Sequence, residues 1–138
     1  MADDLLQVEV VSADGRVWEG DAVQVITRTT EGDVGILARH EPFLAALVPC
    51  AAEIITADGQ REILAVDGGF ISVEDNHVSV LAQYAKIAQE ISLDAAEREF
   101  AEAEKRLNEG EIDDATRRHY NRASAQVKAA TRAHSSAH

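Results

Sequence analysis

Phe70-Ile71-Ser72-Val73-Glu74-Asp75-Asn76-His77-Val78-Ser79-Val80-Leu81 reads as two strands joined by a turn. Ile71 and Val73 alternate with polar neighbours, and so do Val78 and Val80, the period-two spacing of half-buried strands. Asp75-Asn76 between the arms are turn residues. Working outward toward the N-terminus, Asp67-Gly68-Gly69 breaks the chain before this hairpin. Residues 52–56 and 60–66 flank Asp58-Gly59, a strong two-residue hairpin signal. Residues 43–48 form a further strand candidate. Val17-Trp18 and the run Ala22-Val23-Gln24-Val25-Ile26-Thr27 are two more, parted by Gly20-Asp21. Leu6-Gln7-Val8-Glu9-Val10 alternates cleanly. Many short strands with turn residues between them indicate an antiparallel β-sandwich or barrel.

Toward the C-terminus the period changes. Leu93, Ala96, Phe100, Ala103 and Leu107 are spaced 3-4-3-4, the seam of an amphipathic helix. Ser92 is placed to cap its start, and Asn108-Glu109-Gly110 ends it. Asp94→Arg98 and Glu102→Arg106 have the spacing of favourable pairs along it. Asp113 can cap a second helix running to about Ala133, with Ile112, Ala115, His119, Ala123, Gln126 and Ala130 as its seam. A short link between two such helices implies an antiparallel hairpin. The sequence thus divides into a sandwich, residues 1–88, and a helical hairpin, residues 89–138.

With 138 residues, 46% of them hydrophobic but only 4% aromatic, the core must be built mostly from Val, Ile, Leu and Ala. No apolar run has the length of a membrane span, and no signal peptide is expected. The lone Cys50 excludes an internal disulfide and any multi-cysteine metal site. A net charge of −12 argues against nucleic acid as a partner. That charge is uneven: beyond Asp114 there is no acidic residue, while Arg117, Arg118, Arg122, Lys128 and Arg132 are all basic. On a helical wheel these five fall within about 140° of one another, beside the apolar seam. Such a stripe calls for an acidic partner, internal or external.

Chemistry is nearly absent. Gly32-x-x-Gly35 lacks the Lys-Ser/Thr of a phosphate loop, and there is no nucleophile elbow. His134 and His138 have i,i+4 spacing but lie in a fraying terminus, so no metal site is assigned to them. His40-Glu41 lacks a third group that would make it an acid–base site. His119, Trp18 and Phe70 read as packing residues. An enzyme is not indicated, and neither a metal nor a cofactor is expected.

One stretch remains: Gly32-Asp33-Val34-Gly35-Ile36-Leu37-Ala38-Arg39-His40-Glu41-Pro42-Phe43-Leu44. Its glycines, bracketing an acid at a tight bend, read either as a turn between strands or as a docking loop on a rigid scaffold. The string closely resembles the Gly-Glu-(Leu/Ile)-Gly-Ile-Leu-Pro-Gly-His-x-Pro-Leu stretch of the epsilon subunit of F-type rotary ATP synthases. The resemblance also takes in Val8-x-Val10-Val11-Ser12, Val17-Trp18-x-Gly20, Val66-Asp67-Gly68-Gly69-Phe70-Ile71-x-Val73 and Asn76-x-Val78-Ser79-Val80-Leu81-Ala82.

The resemblance implies a ten-stranded sandwich that grips the rotor's gamma subunit and rests on the membrane c ring. It implies a non-catalytic central-stalk subunit, coupling proton flow to ATP synthesis and restraining ATP hydrolysis through its C-terminal helices. Its place would be peripheral, on the cytoplasmic face of the bacterial plasma membrane, reaching the membrane only through the complex. Glu31, Asp33, Arg39 and His40 become the candidates for docking gamma and the c ring. Ala38-Arg39 stands where the family commonly has Pro-Gly. The basic stripe would face Glu97, Glu99 and Glu104 in a folded hairpin, or acidic loops of the catalytic alpha and beta subunits when the hairpin extends. Some members bind MgATP through Ile/Leu-Asp-x-x-Arg-Ala. Here Asp94 matches, but Glu97 takes the arginine's place and Arg98 follows one residue late, about 100° round the helix, so nucleotide binding is not favoured. The rival reading is a stand-alone β-sandwich adaptor whose basic helix docks an acidic protein.

Overall fold

The computed structural model describes residues 4–136, so His138 of the His134/His138 pair lies outside the described residues. Nine strands precede two helices: β1 Leu6–Ser12, β2 Gly15–Thr29, β3 Gly32–Leu37, β4 Phe43–Leu47, β5 Cys50–Thr56, β6 Arg61–Val66, β7 Gly69–Glu74, β8 His77–Leu81 and β9 Ala85–Ile87. After a 3-10 turn at Ala88–Glu90 come α1, Leu93–Asn108, and α2, Asp114–Ser136.

The two layers share β2. Its first half pairs with β1, and its second half pairs with β3 and β5. One layer runs β1-β8-β7-β4; the other continues from β2 through β5 and β6 to β9. The inward rows are apolar, as the alternation requires: Leu6, Val8, Val10, Ile71, Val73, Val78 and Val80 from one layer, Val25, Ile36, Ile54, Leu64 and Val66 from the other, all buried.

The expected break at Gly20-Asp21 does not occur. Both residues stay in the β1–β2 ladder, opposite Val8 and Gln7. Gly20 is there because the Trp18 indole lies over it, where a Cβ would come 2.9 Å from the ring. One 15-residue strand therefore replaces two short ones, and nine strands rather than ten are formed among the described residues. Likewise Gly32 to Gly35 is not a bend. The turn falls one step earlier, at Thr30-Glu31, held by Thr29 Oγ1, which accepts from the N–H of Glu31 at 3.1 Å and donates to Gly32 O at 2.8 Å. Asp75 and Asn76 do form the hairpin loop, both at positive φ (49° and 66°), the pair of left-handed residues that a two-residue turn of this hand demands.

The helix ends follow the sequence closely. Ser92 accepts from the N–H of Ala95, and Asp113 Oδ1 accepts from the N–H of Thr116 at 2.8 Å. Bonds with Thr116, the backbone N–H first and the side chain second, hold the Asp113 carboxyl below its ordinary range. The Asp94–Arg98 pair is not made, whereas Arg106 meets Glu102 at 2.9 Å. Neither Ile112 nor Ala115 is in the seam: Ile112 precedes the helix and is 65% exposed, and Ala115 is exposed too. The seam itself is wider than expected because α2 is sandwiched. One side meets α1 through Phe100–Tyr120, with ring centroids 5.2 Å apart. The other lays Ala125 and Ala129 on Ala51, Ile63 and Ala65, the outer face of β5–β6. Thr116, Ser124, Ala125 and Ala129 are accordingly buried.

Candidate functional site

A sandwich has two outer faces, and here they are unlike. That of β5–β6 is covered by α2. That of β4-β7-β8 is bare, yet it is apolar. Register places Ala46, Phe70 and Leu81 side by side in one row, and Leu44 in the next, opposite Ser72. Leu44 is 72% exposed, Phe70 54% and Leu81 50%. Phe70 is therefore not a core residue. Its neighbour Ile71 points inward, so strand alternation turns Phe70 out. The exposed area of the three is on the order of 300 Å², the scale at which a patch on a monomer commonly serves binding. Beyond Ser72 and Ser79, the second row ends in Glu9, which meets Ser79 at 3.4 Å and Arg16 at 3.7 Å, a polar rim.

The four docking candidates do not form one cluster. Glu31 lies in the turn beside β4, where the N–H of Thr30 donates to Ala46 O. Arg39 and His40 lie at the other end of β3, roughly 15–20 Å along the strand. His40 packs edge-on against Phe43 with centroids 5.6 Å apart, and its Nδ1 is 2.7 Å from Glu41 O. Arg39 keeps a left-handed φ of 68° without glycine. Asn76 Oδ1 accepts its backbone N–H at 2.6 Å, and its guanidinium reaches both oxygens of Asp4 at 3.1 Å. The turn geometry thus survives the departure from Pro-Gly. Asp33 faces elsewhere. It pairs with Arg28 at 3.4 Å and lines a cleft of about 470 Å³ between the sandwich and α2.

The basic stripe divides in the same way. Arg117 and Arg118 are exposed. The other three bind the sandwich, not Glu97, Glu99 and Glu104. Arg122 lies 4.6 Å over the Tyr84 ring, Lys128 Nζ donates to Pro49 O at 3.0 Å, and Arg132 Nη1 lies 3.5 Å from Glu53 Oε2. The reason is packing order: α2 is the helix that packs on the outer face of β5–β6. His119, expected to pack, instead makes the cross-hairpin contact, with Nε2 2.8 Å from Glu99 Oε2.

Glu53 was missed altogether. It is a carboxylate on an otherwise apolar strand, 5% exposed, held by Arg61 of β6 and by Arg132 of α2. A lone acid within Ala51-Ala52-Glu53-Ile54-Ile55 was the available signal. At the start of α1, Asp94, Glu97 and Arg98 are all exposed. The small cleft beside them sets Glu90 and Glu99 against Lys86, a poor setting for phosphate. Among the described residues no group of His, Cys, Asp and Glu is arranged to hold a metal ion, and no helix is long and apolar enough to cross a membrane.

The fold is a β-sandwich with one outer face bare and apolar and a helical hairpin packed on the other. Residues 5–88 match the family described as ATP synthase, Delta/Epsilon chain, beta-sandwich domain. An ATP synthase epsilon chain of Cutibacterium acnes is 57% identical over 107 residues, 77% of this chain and 73% of that protein. One from Streptomyces avermitilis is 47% identical over 98 residues, 71% of this chain and 79% of that protein. A chain in the Euglena gracilis mitochondrial ATP synthase OSCP/F1/c-ring structure shares the fold, with a TM-score of 0.73 at 23% identity, over 94% of this chain and 81% of that one. The chain belongs to the ATP synthase epsilon chain family, a subunit family with no catalysis of its own.

Proposed function

We propose that this chain is the central-stalk subunit that joins the rotor's gamma subunit to the c ring, through the bare β4-β7-β8 face and its flanking turns. The observation that carries this reading is the contrast between the two outer faces. One apolar face is satisfied by the chain's own helix, while Leu44, Phe70 and Leu81 are left to water. Water-exposed apolar side chains at the centre of a patch are where binding energy concentrates. The protein would then lie peripherally at the cytoplasmic face of a bacterial plasma membrane, held there by the complex. No bound nucleotide is needed for this role.

The hairpin is the regulatory part of the proposal. Its contact with the sandwich is built largely on alanines of α2 and carries several side-chain bonds, which suits an element with two arrangements. Extended, α2 would carry Arg117 and Arg118, with the other cations, toward acidic loops of the catalytic subunits and obstruct rotation. Leu44→Asp and Phe70→Asp are expected to weaken binding to purified gamma subunit at least about thirtyfold each, with the chain still folded. Deleting residues 112–138 is expected to raise ATP hydrolysis by the assembled enzyme and leave gamma binding intact. Unchanged binding in the first case would remove the docking face, and unchanged hydrolysis in the second would remove the regulatory role.

A further inference from the structure

We infer that Glu53 is the latch of the C-terminal helix, and that Arg61 keeps this latch weak enough to release. The inference rests on the hairpin's proposed regulatory role. The side chain of Glu53 is 6% exposed, and its two oxygens are divided: Oε1 takes the Arg61 guanidinium from the same sheet, and Oε2 takes Arg132 from α2 at 3.5 Å. Both arginine side chains are about half exposed, 46% and 48%, so each can leave for water at little cost. Glu53 lies on the outer face of β5, opposite Ile63 and under α2, so α2's departure returns it to water with Arg61 still beside it.

The remaining bonds of the interface lie along the same side of α2. Gln126 Nε2 donates to Tyr84 Oη at 2.7 Å, Arg122 covers the Tyr84 ring, and Lys128 bonds Pro49 O. The Arg132–Glu53 contact, by contrast, joins full opposite charges. It is also the one whose strength another residue of the sandwich sets. With Arg61 in place, Arg132 meets a nearly neutral pair; without Arg61 it would meet a whole negative charge. The two arginines therefore act in opposite senses on docking, although both bind the same carboxylate. A merely structural cluster would be weakened by the loss of either.

The test uses the full isolated chain with a cysteine placed at Ala129, a fully buried position of the interface, in a Cys50→Ala background. The rate of thiol labelling reports undocking. Arg132→Ala is expected to speed labelling about tenfold and to abolish most of its salt dependence. Arg61→Ala is expected to slow it two- to fivefold. Hydrogen exchange of α2 in chains that keep Ala129 and Cys50 makes the same comparison without the probe. Faster opening in Arg61→Ala, or no change in Arg132→Ala, would overturn the latch. Failure of the regulatory reading shows elsewhere, as unchanged ATP hydrolysis on deleting 112–138, and would leave these labelling rates as they are.

Discussion

Replacing Gly69 by alanine tests how tightly the bare face is built. Gly69 opens β7 at φ +100°, between Leu47 of β4 and Leu81 of β8. An added Cβ would run into the carbonyl oxygen of Leu81 and come 2.9 Å from Ala82 Cα. Both obstacles are backbone, so no side chain can rotate away. The unfavourable φ costs about 1–2 kcal/mol and the collision about 1–3 kcal/mol more, together about 2–5 kcal/mol. Gly59 is the matched control. It has φ +87° with nothing within 4 Å of its added Cβ, so only the strain, about 1–2 kcal/mol, applies. At ~3–5 °C per kcal/mol for a chain of this size, Gly69→Ala should lower Tm by ~6–25 °C and Gly59→Ala by the smaller ~3–10 °C. Thermal unfolding followed by circular dichroism decides it. Equal shifts in the two variants would refute the argument that backbone approach, rather than φ alone, fixes glycine here.

Three further outcomes follow from the same geometry. The Asp113 carboxyl is held low by its bond to the Thr116 N–H, so its contribution to stability is complete above the ordinary carboxylate pKa and is lost as pH falls through the lower folded value. Asp113→Ala should accordingly reduce Tm at neutral pH and lose that effect in strong acid, as seen by melting at a series of pH values. Cys50 is buried, and burial pushes its thiol up, so alkylation of the native chain should be slow and should rise to the free-thiol rate only in denaturant. Calorimetry should detect MgATP binding weakly or not at all, with Glu90, Glu97 and Glu99 repelling phosphate around the start of α1; micromolar affinity would contradict this.

Much of the fold was legible because local signals agreed with one another. The Ile71/Val73 and Val78/Val80 alternation, the caps Ser92 and Asp113, and the Asp75-Asn76 turn all appear where residue type put them. The errors arose where tertiary contact overrode a local cue. Gly20 looked like a break but makes room for Trp18. Phe70 looked like core because it is aromatic, although its place beside Ile71 in the alternation turns it outward. The five cations of the stripe all lie on α2, but three of them meet the sandwich and not Glu97, Glu99 and Glu104. Wheel geometry places cations on a side of a helix and does not say which neighbour lies there. Glu53 shows the same limit, since Arg132, 79 residues away in sequence, can be recognised as its partner only once α2 is seen on the sheet.

The central claim, that this chain is a rotor subunit docked through the β4-β7-β8 face, is tested most directly by co-purification. The tagged chain is recovered from detergent-solubilised membranes of the source cell, beside a Phe70→Asp chain shown by its melting curve to be folded. The native chain should bring down gamma, the c ring and the catalytic subunits, and the Phe70→Asp chain should bring down little. Recovery of the native chain free of ATP synthase subunits would contradict that claim.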